Sequence, residues 1–265
     1  MEITGYSASI LIGISLGLIG GGGSILTVPV LVYLFAVDTV LATTYSLFIV
    51  GSTSLVGSFS YFKKRWIDIQ TAIYFGIPSI ISVFLTRHYI LLAIPEKILQ
   101  MGSFSLSKSV LLMVIFAVLM IFASYSMIKK DTAATNPQKN TSLTAVILQG
   151  TVVGLVTGLI GAGGGFLIIP ALVNFLKLPM KTAIGTSLLI IAVNSIAGFG
   201  FSIGQNHIEW KFLLSVTLIA IVGIFIGSYL STKIEGYKLK PAFGWFVLVM
   251  GVYILFKETL INQLM

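Results

Sequence analysis

Apolar residues run along the chain in eight long stretches, at about 7–36, 40–62, 69–91, 106–128, 144–176, 181–204, 211–232 and 241–257, separated by short polar turns. Stretches of this kind match the ~20 residues a helix needs to cross the hydrocarbon core of a bilayer. They predict an all-α polytopic membrane protein with little room for an extramembrane domain. The only long hydrophilic linker, Lys129 to Thr141, is polar, lacks apolar periodicity and falls near the middle of the sequence. The expected organisation is therefore a first membrane repeat over 1–128, a linker over 129–141 and a second membrane repeat over 142–265.

The two halves are related. At a constant offset of 141 residues, 17 of the 45 positions from 13 to 57 meet the same residue type without a gap. Leucine matches follow from apolar composition, but the ordered glycine, proline and serine matches (Gly13, Gly17, Gly20, Pro29, Ser46, Ser54 and Gly57 with Gly154, Gly158, Gly161, Pro170, Ser187, Ser195 and Gly198) do not. Such self-similarity marks a duplicated unit, here of four apolar segments.

Each unit opens on a glycine-rich interruption, Gly20-Gly21-Gly22-Gly23-Ser24 and Gly161-Ala162-Gly163-Gly164-Gly165, with Pro29 and Pro170 following. Consecutive glycines carry a large backbone-entropy penalty in a helix. As one straight helix, residues 7–36 would measure about 45 Å, well over the ~30 Å core. Broken, re-entrant first and fifth segments fit this length better. Each half then makes three crossings, the repeats are inverted in the membrane, and 11 of the 16 Lys and Arg residues collect on one face, as the positive-inside rule requires. Upstream, Gly13-x-x-x-Gly17 and Gly154-x-x-x-Gly158 match the small-residue pattern for close helix packing.

Composition narrows the chemistry. Only 9% of residues are charged and the chain has no cysteine, which excludes a soluble enzyme, a nucleic-acid-binding domain, disulfides and thiolate metal sites. The net charge of +8 belongs to interhelical turns facing lipid head groups, not to nucleic acid. No Asp or Glu falls inside a segment, which disfavours a cation pathway. Non-helical backbone at membrane depth must be buried or line a polar cavity, and exposed N–H groups at the start of a half-helix attract anions. Ser46, Thr53 and Gly57, like Ser187, Asn194 and Gly198, are spaced to share one helical face. The candidate substrate site is therefore Gly21, Gly22, Gly23, Ser24, Ser46 and Thr53 from the first half, with Gly163, Gly164, Gly165, Thr186, Ser187 and Asn194 from the second. Arg87 and His88 end the third segment, where they could steer ligand or sense protons; interfacial snorkelling of Arg87 and surface exposure of His88 are the expected roles.

The glycine blocks with Pro29 and with Pro170-Ala171-Leu172, followed by Ala183-Ile184-Gly185-Thr186-Ser187-Leu188, closely resemble the sulfite exporter TauE/SafE family. The resemblance spans nearly the whole chain. It implies a multi-pass inner-membrane permease that moves small organic or sulfur-containing anions (sulfite, sulfoacetate or other sulfonates), most often outward, with Gly20 to Ser24, Gly161 to Gly165 and Thr186-Ser187 at its centre. The first half departs from the pattern with Thr43-Thr44-Tyr45-Ser46-Leu47, where Tyr45 stands in place of threonine. The expected activity is secondary transport by alternating access, with a proton or sodium as coupling ion and no cofactor or enzymatic step; an anion channel built on the same glycines is the alternative.

Overall fold

The computed structural model of the chain describes residues 2–95, 97–101, 104–128, 143–160, 165–205 and 208–258. The linker 129–141 and residues 161–164, including candidates Gly163 and Gly164, lie outside them. Among the described residues, seven helices are long and apolar enough to cross a membrane: Thr39–Lys63, Ile69–Ala93, Lys108–Ile128, Leu143–Ile160, Met180–Gly200, Trp210–Lys233 and Tyr237–Phe256. Large apolar side chains such as Phe59, Phe122, Leu218, Phe225 and Trp245 point outward, as a lipid-facing surface requires.

The first apolar stretch is two helices, α1 (Glu2–Ile19) and α2 (Gly22–Tyr33). They fold back on each other, with Gly23 packed on Ile12 and Leu16. At the open end Gly5 lies against the ring of Phe35, which also meets Tyr6 edge-on at 5.5 Å. After α3 (Thr39–Lys63), α4 (Ile69–Leu85) continues through a π-helical turn, Thr86–Ile90, into the short α5 (Leu91–Ala93). A small antiparallel hairpin follows, β1 (Lys97–Met101) with β2 (Phe104–Ser107), a departure from the all-α expectation. Its alternation of Phe104 and Leu106 with Ser105 and Ser107 is too short to stand out from a hydropathy profile. The second half comprises α7 (Leu143–Ile160), α8 (Gly165–Pro170) with a π-helical turn over Ala171–Phe175, α9 (Met180–Gly200), α10 (Trp210–Lys233) and α11 (Gly236–Phe256), and α6 (Lys108–Ile128) completes the first.

Contacts recur at the sequence offset. A Cβ at Gly13 would overlap the carbonyl oxygen of Ala220, and one at Gly154 the carbonyl oxygen of Ser79. Gly17 lies on Ile224 as Gly158 lies on Val83. Both small-residue patterns therefore do serve close packing, and they do so across the halves: α1 sits on α10, and α7 on α4. The two central helices, α3 and α9, pack antiparallel, with Leu47 beside Gly198 and Gly57 beside Leu188. The turns after α2 and α8 also match. Val37 N–H bonds Leu31 O and Leu178 N–H bonds Leu172 O, each at 3.0 Å, around left-handed residues Ala36 and Lys177.

Acidic residues sit at helix starts, where they meet unpaired N–H groups. Asp38 accepts from the N–H groups of Val40 and Leu41, and Asp68 from that of Thr71. Glu258 is buried and accepts from the Tyr33 hydroxyl at 2.6 Å, beneath a Lys257 ammonium 3.5 Å from the Tyr33 ring centre. Basic residues gather where α3 ends: Lys64 and Lys181 flank the Trp66 ring at 5.5 and 5.1 Å. Partial burial, and secondarily the Lys181 charge, hold the Lys64 amine below its ordinary pKa.

Candidate functional site

The fold brings the first glycine break against Gly165, the start of α8. Gly20 adopts φ +81°, a left-handed conformation open to glycine, and its backbone comes so near α9 that a Cβ there would stand 2.8 Å from Ser187 Oγ. Gly165, the first residue of α8, lies against Gly21 and Ser24: a Cβ on it would be 2.7 Å from Gly21 Cα and 3.1 Å from Ser24 Oγ. Position 24 is the repeat-mate of 165, so this contact joins equivalent positions of the two halves. The α2 N-terminus begins in this buried place with Gly21 as its cap, and no side chain bonds its N–H groups. The α3 and α4 starts, by contrast, are capped by carboxylates.

Ser24, Ser46, Thr53, Thr186, Ser187 and Asn194 are all fully buried. Most of the candidate hydroxyls bond within their own helix. Ser24 donates to Gly21 O, Thr53 to Ile49 O and Ser187 to Ile184 O. Asn194 reaches out of its helix: its Nδ2 donates to Ser79 Oγ on α4 at 2.6 Å, while its Oδ1 has no partner. The hydroxyls of Ser54 and Ser195, repeat-mates on α3 and α9, are also buried without partners. Unsatisfied polar atoms at such depth are costly, and each calls for an explanation.

Thr186 faces elsewhere. Its hydroxyl accepts from the N–H of Asp68 at 2.9 Å, and in the other half the Tyr45 hydroxyl accepts from the N–H of Glu209 at 2.8 Å. These bonds are repeat-mates, so the Tyr45 departure keeps the same partner with a longer arm. Tyr45→Phe and Thr186→Val are each expected to cost about 1 kcal/mol, the worth of one such bond. Thermal unfolding of the two variants checks this, and two unchanged melting curves would remove the bonds from the account.

The residue that sequence reasoning misplaced is Arg87. Instead of snorkelling to the interface, it is 2% exposed inside the bundle. Its Nη1 donates to Ser202 Oγ at 2.8 Å and Thr44 Oγ1 at 3.3 Å, and its Nη2 to Thr43 Oγ1 at 3.2 Å, while Nε has no acceptor. Those hydroxyls solvate the guanidinium, which is why it can leave the interface. The adjacent His88 is exposed and stacks on Phe84, as its position predicts. A cleft of about 470 Å³ opens at the end where α3 begins, between Asp38, Leu41, Tyr45, Glu209 and Phe212; none of the described glycine-break residues lines it.

Comparison with known proteins agrees with the resemblance in the glycine blocks. The family model described as sulfite exporter TauE/SafE matches residues 6–254. A probable membrane transporter protein of Xylella fastidiosa is 26% identical over 260 residues, covering 94% of this chain and 92% of its own. The probable membrane transporter protein YunE of Bacillus subtilis is 25% identical over 261 residues, covering 91% and 92%. One from Methanocaldococcus jannaschii is 26% identical over 263 residues, covering 92% of each. No solved structure matches the chain. With a family model spanning all but the first few and last few residues, the chain belongs to the sulfite exporter TauE/SafE family.

Proposed function

We propose that the chain is a secondary transporter of small oxyanions, such as sulfite, sulfoacetate or other sulfonates, working by alternating access and carrying its substrate outward. The observation that carries this reading is the buried, uncapped N-terminus of α2, meeting the start of α8 at Gly21 and Gly165. A helix N-terminus carries about half a positive elementary charge, and the first turn of α2 holds no acidic residue to offset it. An anion between the breaks supplies that charge and accepts from the free N–H groups.

The polar side chains adapt to this role. Rotation of the Ser187 hydroxyl away from Ile184 O turns its proton toward Gly20. A flip of the Asn194 amide lets Ser79 donate to Oδ1 and frees the NH2 donors, at no change in shape. Inverted repeats over 1–128 and 142–265 are supported by the antiparallel α3 and α9 and by contacts recurring at the 141 offset. Re-entrance of α1 and α2 is supported by Gly5 lying against Phe35. The Lys64, Trp66 and Lys181 cluster fits a cytoplasmic end where α3 finishes. A proton or sodium gradient drives the cycle.

Sulfite flux through the purified protein in sealed vesicles tests the reading. The Ser187→Ala/Asn194→Ala double variant is expected to fold and to raise the half-saturating sulfite concentration about tenfold. Unchanged half-saturation would sink the site assignment, and absence of flux for every small oxyanion would sink the transport reading. Single-channel currents would instead favour the channel alternative.

A further inference from the structure

Among the described residues, Arg87 is the one basic side chain buried inside the bundle, and none of their carboxylates forms an ion pair with it. A guanidinium keeps its charge at neutral pH, and a buried ion is ordinarily balanced by an opposite charge. Here its neighbours are the hydroxyls of Thr43, Thr44 and Ser202, all neutral, and Nε–H has no acceptor. In the same turn, Thr86 Oγ1 is fully buried and also without a partner. That turn is π-helical, a local widening of the helix common at functional positions.

The location matters as much as the charge. Gly158, three residues before the second glycine run, lies 2.6 Å from Thr86 Cβ by the position its own Cβ would take. In the other half, the equivalent place beside Gly17 is neutral. There Ser228 replaces Arg87, and Tyr61, the repeat-mate of Ser202, donates to Gly17 O at 3.0 Å and accepts from Ser231 Oγ at 2.7 Å. Among the described residues, the duplicated frame thus carries a buried positive charge in the turn against Gly158 and none at the equivalent place beside Gly17.

From this geometry we infer that Arg87 is a second anion-binding station, in the π-helical turn that packs on Gly158, that takes a small oxyanion through the fork of its guanidinium. The inference rests on the anion reading above and adds a site to it. The hydroxyls hold the donors in place. They are weaker acceptors than an oxyanion, so an arriving sulfite or sulfonate displaces Ser202 and Thr43 and bridges the guanidinium nitrogens in two parallel bonds. The same exchange releases α4 from α3 and from the segment after α9, which couples anion arrival to movement of the helix that packs on α7.

The test is thermal unfolding of the full chain in detergent against sodium sulfite, with ionic strength held by sodium gluconate, because a ligand of the native state raises apparent stability by mass action. The parent protein is expected to show a saturable rise. Arg87→Gln should raise the half-saturating concentration about tenfold. Ser202→Ala, a small change that frees one Nη1 donor, should lower it, and this variant carries the test if Arg87→Gln does not fold. A purely bracing role for Arg87 predicts lower melting temperatures with an unchanged sulfite dependence. The inference is overturned by that result, by a parent with no saturable response, or by half-saturation unchanged or raised in Ser202→Ala when Arg87→Gln fails to fold. Flux is scored separately: binding that depends on Arg87 without vesicle flux overturns the transport reading and leaves this site standing, while intact flux with Arg87-independent binding does the reverse.

Discussion

Valine at Gly13, or at its repeat-mate Gly154, is expected to destabilise the protein more than any other single change of similar size. At each place the added Cβ would overlap a backbone carbonyl of the facing helix, Ala220 O or Ser79 O. A side chain can rotate away, but a carbonyl moves only with its helix. The branched side chain must therefore push α1 off α10, or α7 off α4, and loosen the packing that drives helix association in a membrane, where no hydrophobic effect compensates. Overpacking of this kind costs about 3 kcal/mol or more. At roughly 2–4 °C per kcal/mol for a chain of this size, the apparent melting temperature should fall by about 6–12 °C. Gly76→Ala is the control: it is helical, a Cβ there meets nothing within 4 Å, and it should melt like the parent or slightly higher. A Gly13→Val protein that melts with the parent would mean that the close crossing does not form.

Gly20→Val is expected to spare much of the fold and abolish flux. Its left-handed backbone costs an L-residue about 1–2 kcal/mol, and more for a branched one. The side chain would also strike Ser187 Oγ, Ile169 and Ile184, whose atoms stand 2.8, 3.1 and 3.2 Å from the Cβ position. Relief requires the tip of the α1–α2 hairpin to withdraw from α9, which separates the α2 N-terminus from Ser187. Sulfite flux in vesicles should then fall at least a hundredfold, about 2.7 kcal/mol of lost transition-state stabilisation, with a smaller loss of stability than in Gly13→Val. Flux near the parent level in a folded Gly20→Val protein would remove the first glycine break from the transport pathway.

Much of this architecture is legible in the sequence because it is written twice. A glycine that must admit a carbonyl at Gly13 is needed again at Gly154, so the 141-residue offset reports tertiary contacts as well as ancestry. The break at Gly20 is equally legible, since a glycine run disfavours helix whatever surrounds it. Arg87 was not legible. At the end of an apolar segment, beside His88 and Tyr89, it looks interfacial, and the hydroxyls that solvate it are distant in sequence, at Thr43, Thr44 and Ser202. Nor could spacing distinguish the hydroxyls that stay with their own helix, as in Thr53, from Thr186, which serves the start of α4. That choice depends on which backbone N–H arrives nearby, a tertiary fact.

The crossing of α1 with α10 and of α7 with α4 also bears on how the chain is made. Elements near the N-terminus enter the bilayer first, yet the groove built for α1 belongs to a helix synthesised after most of the chain. Until then, Gly13 and Gly17 present bare backbone to lipid or to whatever insertion machinery shelters them. Completion is therefore a late, concerted event in which the second half locks the first, and a nascent chain arrested before α10 would offer its glycine face to quality control as an unfinished product.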